Sequence, residues 1–462
     1  MPSFVKYQSL RRCAAPTFLI ILIFSSAFAR ATTARTVTLQ EALDLAHKGN
    51  LSFLASLSKI DKAKALEDQA LAARYPKIIG TGLAAPVYKI TGDAISSQSD
   101  INTWGAWLTA TITVLQPIYT WGKLSSLREA ARRNIDVQTA EVSNDRNQTD
   151  FEVKELYYGS ILVEQLFNFL DDGKRDLEEV QKKTDEDQTR KHPRTPKRDV
   201  YRLKIFKAEA DYRWFEAKKM RDLAHHALAF RLGLDPNEEI LPAETDLIAV
   251  EGAPPSEERL LERLNERRPE LSQLRNGILA KEALLSAEKA NKLPMFFLGG
   301  MITLAHSNAR TPQGSAFASD PYNRTTGGIG AGAQWNFDFK TTLANEGAIR
   351  AEIIELERKQ NYALAGFRLE LRKSLADLSE ARERLETSRG AFDIGRKWLI
   401  SESMNYTVGL TEVKDLIDAY LARAKTAKDM WDALYRVNMA WAQLTKTIGI
   451  EVTPGLSGPA TN

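Results

Sequence analysis

Two aspartates, Asp415 and Asp418, stand three residues apart in a segment of helical pattern, so both carboxylates share one helix face. Carboxylates so placed can attract a cation or, lying just after Thr411, can stabilise a helix N-terminus; spacing alone favours the second role. The five histidines, His47, His192, His225, His226 and His306, show no metal-ligand spacing with acidic or cysteine partners. His225-His226 falls mid-helix in an amphipathic segment and reads as packing or surface. Gly327-Gly328-Ile329-Gly330-Ala331-Gly332 has the composition of a phosphate loop, but such loops join a strand to a helix. Here the glycines lead into a strand over Ala333–Phe339, with Gly328, Gly330 and Gly332 on one face, which suits close strand packing or a tight lumen. No nucleophile, base and orienting acid stand together. The chain does not read as an enzyme, and no cofactor or metal is expected.

With 27% charged and 43% hydrophobic residues among 462, the composition is that of a chain able to bury a core, and neither disordered nor a helical membrane protein. The N-terminus runs from the basic Lys6, Arg11 and Arg12 through the apolar Phe18–Phe24 to small residues ending near Ala29. That order predicts a secretory signal peptide over 1–29. No later stretch approaches the roughly 18–20 apolar residues of a spanning helix, so any membrane contact is made by strands. The only cysteine, Cys13, precedes the apolar run, and the mature chain has no thiol chemistry. Of the 63 Lys and Arg, three leave with the signal, and the rest balance the 60 Asp and Glu, so nucleic acid is not an expected partner.

An internal repeat organises the mature chain. Tyr75-Pro76 and Leu293-Pro294 both end a helical stretch and open a strand-like one, Gln116 and Gln334 both close strands, and Leu232-Gly233 and Ile448-Gly449 both close long helices. The spacing between copies stays near 217 residues. The expected divisions are 1–29, a first repeat over 30–253, a second over 254–451 opened by Pro254-Pro255, and a tail over 452–462.

Each half reads as helix, strand, strand and long helical hairpin. The first helix is expected from Leu39 to Arg74, behind a Thr38-x-x-Glu41 capping box. Strands are expected at Ile78–Tyr88, Trp104–Tyr119, Met295–His306 and Gly328–Phe339. From Trp107 to Gln116 the pattern alternates: Leu108, Ala110, Ile112 and Val114 point one way, and Thr109, Thr111 and Thr113 the other. About ten residues of such alternation suits a transmembrane β-strand, and equally a half-buried strand in a soluble sheet; the segment alone favours the soluble sheet, and the secretion signal with the repeat favours the membrane. From Gly122 to about Asp185 there is no proline, which predicts a helical rod of about 90–100 Å. Leu364, Leu371, Leu378, Leu385, Phe392 and Leu399 recur every seven residues, with Ser374, Ala381, Ser388 and Gly395 in a companion register, which is coiled-coil packing.

This order of elements behind a signal resembles the TolC-like outer-membrane efflux protein family across nearly all the mature chain. The most specific match is Tyr406-Thr407-Val408-Gly409-Leu410-Thr411-Glu412-Val413-Lys414-Asp415-Leu416-Ile417-Asp418-Ala419, which resembles the family's periplasmic-tip segment. Gln116-Pro117-Ile118-Tyr119-Thr120-Trp121-Gly122-Lys123 resembles its strand-to-helix exit, and Leu234-Asp235-Pro236 the turn after the first hairpin. The resemblance implies a mainly α chain with a small β part: a long coiled-coil helical barrel, plus four strands per chain that join in a trimeric twelve-stranded outer-membrane β-barrel. It implies a passive exit duct of a tripartite efflux or type I secretion system, with a periplasmic adaptor (membrane fusion protein), an inner-membrane pump and outer-membrane lipid as partners. By the same resemblance Asp415 and Asp418 ring the tunnel mouth and Tyr406 helps hold it shut; Asp199, which begins the matching helix of the first half, is expected to assist, and Val408, Gly409, Leu410 and Thr411, exposed by the turn between two long helices, are expected to meet the adaptor. The sequence departs from the pattern at the first tip, Lys191-His192-Pro193-Arg194-Thr195-Pro196-Lys197-Arg198-Asp199, which has proline where glycine is expected. It departs again at Trp335-Asn336-Phe337-Asp338-Phe339-Lys340, which lacks the usual proline and glycines, and at Thr411, which replaces an arginine. The competing reading is a soluble periplasmic coiled-coil adaptor or scaffold without a barrel.

Overall fold

The computed structural model describes residues 35–450 apart from 94, 194 and 236; the expected signal peptide and C-terminal tail lie outside them. The chain runs β1 (Arg35–Val37), α1 (Leu39–Gly49), α2 (Leu51–Ala72), β2 (Lys77–Gly92), β3 (Ser97–Tyr119), α3 (Lys123–Gln188) and α4 (Lys197–Leu232). The same order then recurs as β4 (Ile240–Pro242), α5 (Glu257–Arg267), α6 (Pro269–Ala290), β5 (Met295–Ser307), β6 (Arg324–Gln334), α7 (Phe339–Val408) and α8 (Val413–Ile448). β1 and β4 pair in parallel, while β2, β3, β5 and β6 form one antiparallel four-stranded sheet in that order. Among the described residues no helix is long and apolar enough to cross a membrane.

Thr38 and Glu41 form the expected capping box, with Thr38 N donating to Glu41 Oε2 at 2.9 Å and Glu41 N to Thr38 Oγ1 at 3.3 Å. The single helix expected over Leu39–Arg74 is instead two, broken at Asn50. Asn50 takes extended backbone, accepts Phe53 N–H on its side chain at 3.0 Å and donates to Arg231 O at 2.8 Å. The break lets two glycine backbones cross: a Cβ on Gly49 would lie 2.6 Å from Leu232 O, and one on Gly233 would lie 2.0 Å from Gly49 O. In the second half, Pro269 at the first turn of α6 marks the matching break.

The helices α3 and α7, of 66 and 70 residues, are each about 100 Å long at ~1.5 Å per residue. An ion pair and a hydrogen bond show how α3 is flanked. Arg128 of α3 meets Glu67 of α2 near the sheet, whereas Trp214 of α4 donates to Asp171 of α3 at 2.9 Å further along the rod. In α7 the heptad residues Leu371, Leu378, Leu385 and Leu399 are buried, as are Ser374, Ala381, Ser388 and Gly395, and this stripe packs on α8. The main core joins it to Val153, Tyr157, Leu228, Leu232, Leu260 and Leu264. Arg268, 7% exposed, sits in this core with its charge answered by Glu370 at 2.9 Å and Thr447 O at 2.7 Å, its guanidinium 3.7 Å above the Phe367 ring.

In the sheet, Leu108 and Ile112 are more than half exposed, while Thr109, Thr111 and Thr113 of the opposite face are partly covered. Thr111 and Thr303 hydrogen-bond across the strands at 3.1 Å. The strand expected at Gly328–Phe339 lies earlier, at Arg324–Gln334, so the glycines form the strand rather than lead into it. The alternation of Trp335, Phe337 and Phe339 imitates a strand, but Asp338 accepts Thr341 N–H at 3.2 Å and starts α7 at Phe339. A Cβ on Gly332 would stand 2.7 Å from Phe297 Cζ, so that glycine makes room for the ring. The two exits from the sheet differ as their sequences do. At the first, Trp121 and Gly122 both take positive φ, 54° and 81°, and Trp121 Nε1 donates to Pro294 O at 2.9 Å. At the second, the Asp338 cap replaces that turn.

Because Leu378 is 1% exposed at the α7–α8 seam, Leu378→Ala should cost about 2–5 kcal/mol of helical stability. Denaturant unfolding of the detergent-solubilised protein, followed by helical circular dichroism, measures this. A change below ~0.5 kcal/mol, the size of an ordinary surface substitution, would show that the seam is not core.

Candidate functional site

The end of the rods remote from the sheet carries the two hairpin tips. α7 ends because Gly409 takes the left-handed conformation at φ 81°, with Gly409 N bonded to Tyr406 O at 3.1 Å and Leu410 N to Asn405 O at 2.8 Å. α8 opens on Glu412 at its N-cap, whose backbone N–H donates to Asp415 Oδ2 at 3.4 Å in a capping box. Val408 and Leu410 stand 70% and 77% exposed at the apex.

Asp415 and Asp418 are both exposed on α8, beside a buried stripe of Val413, Leu416 and Ala419. Within the chain Asp415 acts as a helix-start acid. Asp418 makes no ion pair or hydrogen bond among the described residues, so its carboxylate is available outward. Tyr406 is partly buried against two clusters, Leu177, Leu203 and Val413, and Leu399, Leu416 and Ala419, which brings residues of both hairpins together. Its hydroxyl has no hydrogen-bond partner within the described chain.

Asp199 lies at the same end but not in a bond with Tyr406. It is 2% exposed in the first turn of α4, 3.3 Å from Arg202 Nη1 and 3.7 Å from Arg198 Nε. Arg198 in turn reaches Glu412 Oε1 at 3.0 Å, so one guanidinium ties the first tip to the second. Both partners of that last pair are more than half exposed, which limits its worth to about 0–1 kcal/mol. Sequence reasoning missed Arg198, Arg202 and Glu412. The i, i+3 spacing of Asp199 with Arg202 and of Glu412 with Asp415 carried a local signal; the Arg198–Glu412 bridge, 214 residues apart, had none. Thr411, standing where an arginine is expected, has its Oγ1 buried without a partner.

Two to three turns deeper, burial pushes the Asp176 carboxyl above the usual carboxylate range, with Arg423 opposing that shift. Burial and the neighbouring Asp176 charge push the Tyr420 hydroxyl up. On α4, burial pushes His225 below the ordinary imidazole range although Glu164 and Glu239 each lie 3.6 Å away. Among the described residues no group of three or more His, Cys, Asp or Glu could hold a metal ion.

No protein-family model matches the sequence, and no curated protein does. Solved structures do match. The CmeC outer membrane channel of Campylobacter jejuni is 14% identical, with 97% of this chain and 95% of that one covered at a TM-score of 0.73. The MtrE outer membrane channel of Neisseria gonorrhoeae in its open state is 16% identical over 89% of each chain at 0.70. CusC, solved in work on folding and transmembrane channel formation, is 14% identical over 90% of this chain and 94% of its own at 0.70. This chain has the fold of these outer-membrane channels. At such identities the likeness is one of fold, spanning both sheet and hairpins, and it is the fold that the tip and exit motifs implied.

A Cβ on Gly409 would meet nothing within 4 Å, so any cost of replacing this glycine is conformational rather than steric. Gly409→Ala should therefore weaken the turn by about 1–2 kcal/mol. Hydrogen exchange at the Asn405–Leu410 amides should quicken roughly 5–30-fold while the sheet amides stay unchanged. Unaltered exchange at the tip would mean that the left-handed turn does not hold the hairpin end.

Proposed function

We propose that the chain is the outer-membrane channel component of a tripartite efflux or type I secretion system: a homotrimer that forms a passive duct across the periplasm and the cell outer membrane. One observation carries the reading. Among the described residues the four-stranded sheet has no outer strand beside β6, nor beside β2 apart from a bridge at Ile90–Arg310, and it has an apolar face, with Leu108, Ile112, Ile302 and Leu304 each more than half exposed. A sheet in lipid must close, because hydrocarbon offers no partner to edge N–H and C=O groups. Four strands are too few, and membrane barrels begin at about eight. Three chains supply twelve. Aromatic residues gather at both ends of the sheet, Tyr119, Trp121, Trp335 and Phe337 beside the helices and Tyr88 with Trp104 at the far end, as in the girdles of membrane barrels. A soluble adaptor or scaffold gives no reason for this exposed apolar band.

On this reading the rods extend into the periplasm, Val408, Gly409, Leu410 and Thr411 meet the periplasmic adaptor, and an inner-membrane pump completes the system. Nothing in the site calls for catalysis. Three copies of Asp415 and Asp418 set six carboxylates around the axis, a ring that attracts cations and opposes anions. Tyr406, whose hydroxyl has no partner among the described residues, closes the ring by bonding across the trimer, and Asp199, fixed by Arg198 and Arg202, buttresses it.

Planar-bilayer recording of the purified trimer tests this. It should conduct, and multivalent cations added on the tip side should block it. Asp415→Ala with Asp418→Ala should abolish the block and reduce cation selectivity, while Tyr406→Phe should raise the resting conductance. Absence of conductance overturns the channel; unchanged block and selectivity in the double variant would return the two aspartates to helix-start acids.

A further inference from the structure

We propose that the first tip, between α3 and α4, receives an acidic segment of the partner protein, whose carboxylates complete the N-terminus of α4. This deepens the adaptor contact proposed above and rests on it. Arg190, Lys191, His192, Lys197 and Arg198 are all exposed, and no acid occurs anywhere from 190 to 198. Of the flanking acids, Asp187 and Asp199 are buried, whereas Asp185 and Glu186 are exposed. Asp187 accepts the Thr195 N–H at 2.8 Å, and Asp199 is buried beside Arg198 and Arg202. Gln188 Nε2 also donates to Thr195 O at 2.7 Å, so the end of α3 holds Thr195 through both its N–H and its C=O.

The backbone adds to this field. Pro196 stands at the N-cap of the 36-residue α4 and offers no side-chain cap; the Asp199 N–H bonds Pro196 O at 2.9 Å, while the Lys197 and Arg198 N–H groups have no partner among the described residues and the positive end of the helix dipole adds to the same cations. α8, by contrast, closes its own N-terminus with the Glu412–Asp415 box, and its apex presents Val408 and Leu410. The two tips of one chain thus ask for different contacts: carboxylates at the first, apolar side chains at the second. A protein segment fits better than an anionic lipid surface. Exposed Glu178, Asp185 and Glu186 on the last turns of α3, with Asp415 and Asp418 at the start of α8, border the basic loop and would repel a uniformly negative plane. Acids spaced to match the loop avoid them.

Lys191 and Lys197 make no ion pair within the described chain, which makes them clean positions for reversal. The test is Lys191→Glu with Lys197→Glu in the full-length channel in cells, with Gly409→Arg as the second-tip comparison. Trimer yield and single-channel conductance should stay at wild type while export falls about tenfold or more, because like charges now face each other across the contact; Lys191→Arg with Lys197→Arg should retain export. Should the glutamate variant fail to assemble, Lys191→Gln with Lys197→Gln carries the same expectation. A photocrosslinking residue at His192 should then join the tip to a segment rich in Asp and Glu. Wild-type export in the reversed or neutralised variant, or a crosslink to lipid or to a segment without acids, overturns the inference. If reversal leaves export intact while Gly409→Arg abolishes it, the acidic partner fails and adaptor docking at the second tip survives; if neither variant affects export, tip docking itself fails.

Discussion

The unpaired edges of the β2-β3-β5-β6 sheet are the constraint on which the rest of the molecule depends. Ordinary soluble sheets protect such edges with charge, proline or a covering helix. Here β2 carries Pro86 but also Gly80 and Gly82, and β6 has Gly327, Gly328, Gly330 and Gly332 among its 11 residues, so both edges allow close backbone approach. The same sheet turns an apolar face outward and hydrogen-bonds its threonines inward, as Thr111 does with Thr303. A face of that kind is stable only against hydrocarbon or another protein, and edges of that kind only when paired. Three-fold closure meets both demands at once.

The sheet also sets where the long helices begin. Each chain leaves the sheet twice, at Trp121-Gly122 and at Asp338, and each exit launches a helix about 100 Å long. Rods of that length hold together only with a continuous seam. The heptad of Leu371, Leu378 and Leu385, with Ser374 and Ala381 as its small partners, supplies one for α7 on α8. Arg268, buried in the main core, is answered there by Glu370 and by Thr447 O, as Asp199 is answered by Arg202 at the tip. At the remote end the packing thins to small clusters around Leu203, Val413 and Tyr406, so the hairpins are held less by apolar burial at their tips than along the main core.

What the sequence made legible follows periodicity. The seven-residue leucines, the alternation through Leu108–Val114 and the recurrence of Gly233 and Gly449 as left-handed helix ends are each written in local spacing. The tip motif from Tyr406 to Asp418 was legible by resemblance, and it falls where two long helices turn. What stayed hidden depends on contacts distant in sequence. The break at Asn50 needs Arg231 O, 181 residues away, and the register of β6 is fixed by Asp338 capping α7 against an aromatic alternation that imitates a strand. The Arg198–Glu412 bridge and the burial of Asp199 arise only when two hairpins from different repeats come side by side.

Every element of this account leads back to closure of the barrel by three chains, and the stoichiometry of the membrane-embedded particle tests it most directly. After membranes are washed with carbonate and then extracted with detergent, multi-angle light scattering, corrected for bound detergent, gives the protein mass. The account predicts that the protein resists carbonate and emerges as three chains; a single chain released by carbonate would contradict it.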